Sequence, residues 1–137
     1  MPRPPPADAL RVLVVDDNAH VGRIFGLLLS AWGHEPRTAT DGRDALAVAA
    51  EFLPDVVLLD LGLPGMDGCE VAYHLHALPR LRDVVLLAMT GTDDDDLRLR
   101  AAAAGCASYI VKPADLNELG MLLNALAQGK ATCASAV

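Results

Sequence analysis

The sequence predicts an α/β fold in which a strand–helix unit repeats five times around one parallel, doubly wound sheet. Three observations carry the prediction. Short apolar runs at 12–15, 55–59, 84–89 and 107–111 alternate with longer segments of helical character. Three of those runs are continuous in Val and Leu rather than alternating, as in strands covered on both faces. The 137 residues fit one domain, large enough to bury roughly two-thirds of its unfolded surface without a metal or disulfide staple.

The elements follow in order. After the first strand, Val21, Ile24, Leu28 and Trp32 recur at helical spacing over about 20–32, and Gly33 stops the helix. A weaker strand at 34–39 leads into a helix at 43–51. The strand at 55–59 is followed by a helix at 67–77, and the strand at 84–89 by one at 94–104 that ends at Gly105. The strand at 107–111 precedes a Leu-rich helix at 115–127, which Asp115 can cap. Residues 1–10 read as a disordered proline-rich leader, 11–127 as the domain, and 128–137 as a flexible tail of small residues. Crossover helices make the strands parallel with right-handed connections. Five such units give the flavodoxin-like sheet order 2-1-3-4-5, whose ligand crevice lies at the carboxyl ends of strands 1 and 3.

Composition narrows the function. With 53% hydrophobic but only 4% aromatic residues, the core must be built from Leu, Val and Ala. A net charge of −7, with basic residues scattered singly, argues against direct binding of nucleic acid. Cys69, Cys106 and Cys133 are far apart and read as free thiols of a reducing compartment. No apolar run approaches the about 20 residues of a membrane span, and the first residues lack a secretory signal. The expected location is cytoplasmic.

The polar residues fall in a pattern. The first strand ends in Asp16-Asp17, the third in Asp60, the fourth in Thr90 and the fifth in Lys112-Pro113. Parallel strands put all these ends on one edge, and strands 1 and 3 are neighbours, so the carboxylates converge. Convergent like charges raise each other's pKa or demand a cation. Oxygen-only ligands select a hard ion such as Mg²⁺, which completes its shell with phosphate oxygens. Asp60 would then attack a phosphoryl group, while Lys112 and Thr90 offer a cation and a hydroxyl to its oxygens. Each residue alone has a plain alternative as a cap, a turn or a solvated charge. Their joint occurrence, each at its own strand end, carries the functional reading.

Over residues 11–127 these motifs resemble the receiver domain of bacterial response regulators. The carriers are Val-Leu-Val-Val-Asp16-Asp17-Asn18, Leu-Leu-Asp60-Leu-Gly-Leu-Pro64-Gly-Met-Asp-Gly68, Ala-Met-Thr90-Gly91 and Tyr109-Ile-Val-Lys112-Pro113. The resemblance implies a Mg²⁺-dependent phosphoacceptor of a two-component system or phosphorelay. Asp60 would accept the phosphoryl group, and Asp17, Asp16 (largely through water), Asp60 and the backbone carbonyl of Gly62 would hold the metal. It implies a cis Lys112–Pro113 peptide and a switch in which Thr90 moves and Tyr109 turns inward, changing the surface of helix 4, strand 5 and helix 5. The implied donor is a histidine kinase or histidine phosphotransfer protein, docking near His20 and Arg23, and the output is a downstream protein effector. Such a domain is a signalling switch that catalyses its own phosphorylation and dephosphorylation, not a turnover enzyme.

Some features stand apart. Gly62 and Thr92 are not the polar or acidic residues many members place on the path of an attacking water, which predicts an altered phosphate lifetime. The aspartates at 93–96 favour a helix N-terminus and read as caps with an acidic rim rather than a metal site. His74 and His76 point to different helix faces, and His20 and His34 read as surface residues. Three rivals are weaker. A phosphatase of the haloacid-dehalogenase kind needs a second acid where Gly62 stands. A flavin-binding domain needs a neutral phosphate loop where Asp16-Asp17 stand. A non-phosphorylated interaction domain has no need of the complete residue set. No effector is visible after residue 127. The chain therefore reads as a stand-alone regulator or as the receiver of a hybrid histidine kinase, which its Asp-Leu-Gly-Leu-Pro-Gly-Met-Asp-Gly stretch resembles most.

Overall fold

The computed structural model describes residues 9–63 and 65–136, the last eight of these by backbone alone. The strands are β1 (Arg11–Val15), β2 (Glu35–Ala39), β3 (Val56–Asp60), β4 (Val85–Thr90) and β5 (Cys106–Val111). The helices are α1 (Ala19–Ala31), α2 (Gly42–Phe52), α3 (Gly68–Ala77), α4 (Asp95–Ala103) and α5 (Leu116–Ala136). All pairings are parallel and the sheet order is β2-β1-β3-β4-β5, as the alternation of runs and helices predicts.

Two apolar layers hold the sheet, one on each face. Because side chains alternate along a strand, Leu13, Val15, Val57 and Leu59 face one layer, with Ala45 and Ala49 of α2 and Val71, Ala72 and Leu75 of α3. Val12, Val14, Val56 and Leu58 face the other, with Leu29 of α1 and Leu119, Leu123 and Ala127 of α5. The continuous Val/Leu runs are thus explained: each strand needs an apolar residue on both sides. At about 1.5–3 kcal/mol per buried aliphatic side chain, these layers dominate the fold's stability.

The helix boundaries follow local chemistry. The side chains of Asn18, Asp41, Asp67 and Asp94 accept backbone N–H groups at the starts of α1 to α4. Gly33 follows α1 at φ +91° and Gly105 follows α4 at φ +100°, where L side chains are strained. A Cβ at Gly105 would also run into the His76 ring. Two local features differ from the sequence reading. The β4–β5 register shifts between Leu86 and Leu87, so Cys106 pairs with Leu86 and Ser108 with Leu87, leaving Ala107 as an extra residue. The helix expected to end at 127 continues to Ala136, because the Ala-rich continuation holds no proline to stop it. Of the expected leader, residues 1–8 lie outside the described residues, as does Pro64. Among the described residues no helix is long and apolar enough to cross a membrane.

Candidate functional site

Among the described residues only three polar side chains are buried: Asp16, Asp60 and Thr90, at 3%, 7% and 5% exposure. All three stand at the carboxyl edge of the sheet, at the ends of β1, β3 and β4. Burying such groups is costly unless they are partnered, and no buried side-chain oxygen or nitrogen here lacks a partner.

The partners come from the strand-end turns. Beyond β1, the Asp16 amide donates to the Ala39 carbonyl (3.1 Å), and Asp16 Oδ1 accepts the Asn18 amide (2.9 Å). Asn18 then caps α1 by accepting the His20 amide. Asp60 Oδ1 accepts the Gly62 amide (2.9 Å), while the Leu61 amide donates to the Met89 carbonyl and ties the end of β3 to β4. The Lys112 amide donates to the Thr90 carbonyl (2.7 Å), tying the end of β5 to β4.

The Lys112 ammonium closes the centre, donating to Asp16 Oδ2 (3.1 Å) and Asp60 Oδ2 (3.2 Å). Burial by itself would depress its pKa, but the hydrogen bonds and negative charges of Asp16 and Asp60 outweigh burial and hold it above the ordinary lysine value. Asp17 is exposed beside them, and Asp16, Asp17 and Asp60 each offer an oxygen within 4.8 Å of the others. This cluster is all-oxygen, anionic and open on the Asp17 side. It can hold a metal ion, and its donor set fits a hard divalent cation.

Thr90 accepts the Thr92 amide at its Oγ1 (3.3 Å), and the two hydroxyls lie 3.2 Å apart. Tyr109 sits one step further out, half-buried against the layer of α2 and α3, with its hydroxyl donating to the Thr92 carbonyl (3.0 Å). The Lys112–Pro113 peptide is cis. Asp16, Asp17, Asp60 and Lys112 therefore meet directly, with Gly62 and Thr90 adjoining, while Tyr109 reaches the centre only through Thr92.

Residues set aside in the sequence behave mostly as read. Asp94 caps α4, Asp93 pairs with Arg98 (2.7 Å), and the run at 93–96 forms no metal cluster. His76 Nε2 donates to the Val84 carbonyl and His74 meets Tyr73 edge-on. His34 departs from the surface reading: it is half-buried, and its Nδ1 accepts the Leu10 amide at 3.1 Å. Cys69 and Cys106 are free thiols, and burial raises the Cys106 pKa to about 11 with a further push from Cys69. Sequence reading missed Arg98 and Arg100. Arg98 lies over the Tyr109 ring, 4.5 Å from its centroid, and Arg100 is ion-paired with Asp67 at the start of α3. Neither contact has a signal in sequence spacing, because both partners come from other elements.

Comparison with known proteins gives a consistent answer. The response regulator receiver domain family matches residues 12–124. The chain is 39% identical over 105 residues to the response regulator PleD of Caulobacter vibrioides, covering 77% of this chain and 23% of that protein. It is 39% identical over 107 residues to the transcriptional regulatory protein KdpE of Mycobacterium tuberculosis, covering 78% of this chain and 46% of that one. The chain thus spans less than half the length of these curated relatives. Among solved structures, the chemotaxis response regulator CheY4 of Vibrio cholerae superposes with a TM-score of 0.79 at 28% identity, covering 86% of this chain and 98% of that chain. The signal receiver domain of a DNA-binding response regulator from Colwellia psychrerythraea gives 0.80 at 26% identity, covering 86% and 98%. With a family match over most of its length and relatives 39% identical to it, this chain belongs to the response regulator receiver domains of two-component signalling.

Proposed function

We propose that Asp60 is the phosphoacceptor of this receiver, and that phosphoryl transfer to it depends on Mg²⁺. The observation that carries the reading is the burial pattern: among the described residues the buried polar side chains are Asp16, Asp60 and Thr90, gathered with Lys112 on one sheet edge. Such groups cost stability to bury and do not serve the apolar layers, so a chemical role explains them better than packing.

Asp16, Asp17 and Asp60, with the Gly62 carbonyl, would hold the ion. When bound, it supplies charge neutralisation at the phosphoryl oxygens. An Asp60 carboxylate oxygen attacks the phosphorus, the bond to the donor's imidazole nitrogen breaks, and the electron pair stays on that nitrogen. The Gly62 amide, already on Asp60 Oδ1, steadies the carboxylate during attack. Lys112, now shared between Asp16 and Asp60, turns to an oxygen of the incoming group, and Thr90 exchanges Thr92 for another oxygen. Positioning and charge neutralisation are what phosphoryl transfer chiefly requires.

The donor is a histidine kinase or histidine phosphotransfer protein, the setting is cytoplasmic, and residues 11–127 are the working unit. Phosphorylation and its reversal are the domain's own chemistry, and the α4–β5–α5 surface, with Thr90, Tyr109 and Pro113 behind it, carries the change to a protein effector. The test is incubation with Mg²⁺ and acetyl phosphate followed by intact-mass measurement beside Asp60→Asn. One phosphoryl adduct on the wild type, absent from the variant and absent with chelator, is expected. An adduct that persists in Asp60→Asn would move the site, and no adduct from acetyl phosphate or any candidate kinase would overturn the reading.

A further inference from the structure

Helix α4 has little apolar attachment. Ala101 is its only buried residue, Leu97 is half-buried, and Leu99 is 71% exposed. Its polar side chains make two ties to the body instead. Arg100 pairs with Asp67, the capping residue of α3. Arg98 lays its guanidinium over the Tyr109 ring at 4.5 Å from the centroid, inside the range of a cation–π contact. The same guanidinium donates to Asp93 Oδ1 at 2.7 Å, so the turn that precedes α4 fixes its orientation.

Tyr109 is consequently held by the stretch around the start of α4 and by the apolar layer it packs against. Its hydroxyl donates to the Thr92 carbonyl, its outer face lies under Arg98, and its inner face meets the apolar layer beneath α4. An exposed ion pair adds little to global stability. What the Asp93–Arg98 pair can do is choose a rotamer, and the planar guanidinium is suited to an aromatic face in a way an ammonium is not.

We propose that Arg98, oriented by Asp93, is the positioning residue that holds the Tyr109 ring in its observed place and so sets how far that ring can move when Asp60 is phosphorylated. The second half of this statement rests on the phosphoacceptor reading; the first half does not.

The test uses the full chain labelled with fluorotyrosine. The sequence has two tyrosines, so Tyr73→Phe assigns the ¹⁹F resonance of Tyr109. Without any phosphodonor, Arg98→Met, which keeps the stem and loses the charge, is expected to shift and broaden the Tyr109 line. Arg98→Lys should restore part of the shift, and Asp93→Asn should move the line in the same direction by less. Arg100→Met, which cuts the other tie of α4, should leave the line in place. An unmoved line in Arg98→Met, or an equal shift in Arg100→Met, would overturn the proposal, the latter by showing that loosening the helix is enough. With Mg²⁺ and acetyl phosphate, Arg98→Met should take up phosphoryl groups within about twofold of wild type while its Tyr109 line responds more strongly. A tenfold loss of uptake would overturn the assignment by placing Arg98 in the chemistry. Intact mass in the same samples reports whether Asp60 is modified, so failure of the phosphoacceptor reading is seen separately.

Discussion

Strand β3 and strand β5 lie two places apart in one sheet and are held in opposite ways. All five residues of β3 are buried; none of the six in β5 is. β3 has a strand on either side and a layer of helices on each face, whereas β5 is an edge strand beside a polar helix. Asp60, at the end of β3, is thus carried by a strand buried between apolar layers on both faces. Tyr109, in β5, is held by single polar contacts from Thr92 and Arg98. On the proposed function the difference is a division of labour. A group that does chemistry needs a fixed position, while a surface that signals needs two arrangements of similar free energy, and few apolar contacts make that difference small.

The comparison can be broken most directly in the cores. Leu58→Ala in β3 should cost about 3–5 kcal/mol in urea unfolding, the range for a fully buried leucine, whereas Ile110→Ala in β5 should cost about 1–2 kcal/mol because its surroundings can relax. Equal losses would refute the contrast. Next in size is the metal. Saturating Mg²⁺ should raise thermal stability by about 2–3 kcal/mol near a hundredfold excess over Kd, and Asp17→Asn, an exposed change, should remove most of that gain while hardly altering the metal-free protein. Gly105→Ala should cost about 1–2 kcal/mol, since a side chain at φ +100° is strained and meets His76 at the joint of α4 and β5; unchanged stability would mean the joint gives way freely.

The smallest expected effect concerns acid. The Cys69 amide, opposed by partial burial and helped by Arg100, holds the Asp67 carboxyl below its ordinary pKa. Its contribution is therefore fully present above about pH 3.9, the unfolded value, and is lost as pH falls through the lower folded value. Asp67→Asn should lower stability at neutral pH by that contribution and flatten the fall below about pH 4, so that the two proteins converge in acid. Urea titrations at pH 7, 4 and 3 measure it.

Much of this was legible in the chain. Val12 to Val15 and Val56 to Leu59 read as strands covered on both sides, and crossover connections make such strands parallel. Each strand-end polar residue could be read because its place depends only on where its own strand stops. Asp94 and Asp115 were readable as caps for the same local reason, and both accept helix-start amides. The shift at Ala107, the Asp67–Arg100 pair and the guanidinium over Tyr109 were not. Each depends on how two elements far apart in sequence settle against one another. His34 shows the same limit: its half-buried ring accepts the Leu10 amide, a contact made across 24 residues.

The sequence by itself determined the architecture and the meeting of Asp16, Asp17, Asp60, Thr90 and Lys112 at one edge, because hydrophobic periodicity and strand ends are local properties. Only the tertiary structure decided that Lys112 lies between Asp16 and Asp60, that Thr92 joins Thr90 to Tyr109, and that α4 is moored by arginines more than by a core. Those choices turn on side-chain reach and on the energies of individual polar contacts, which no periodicity encodes.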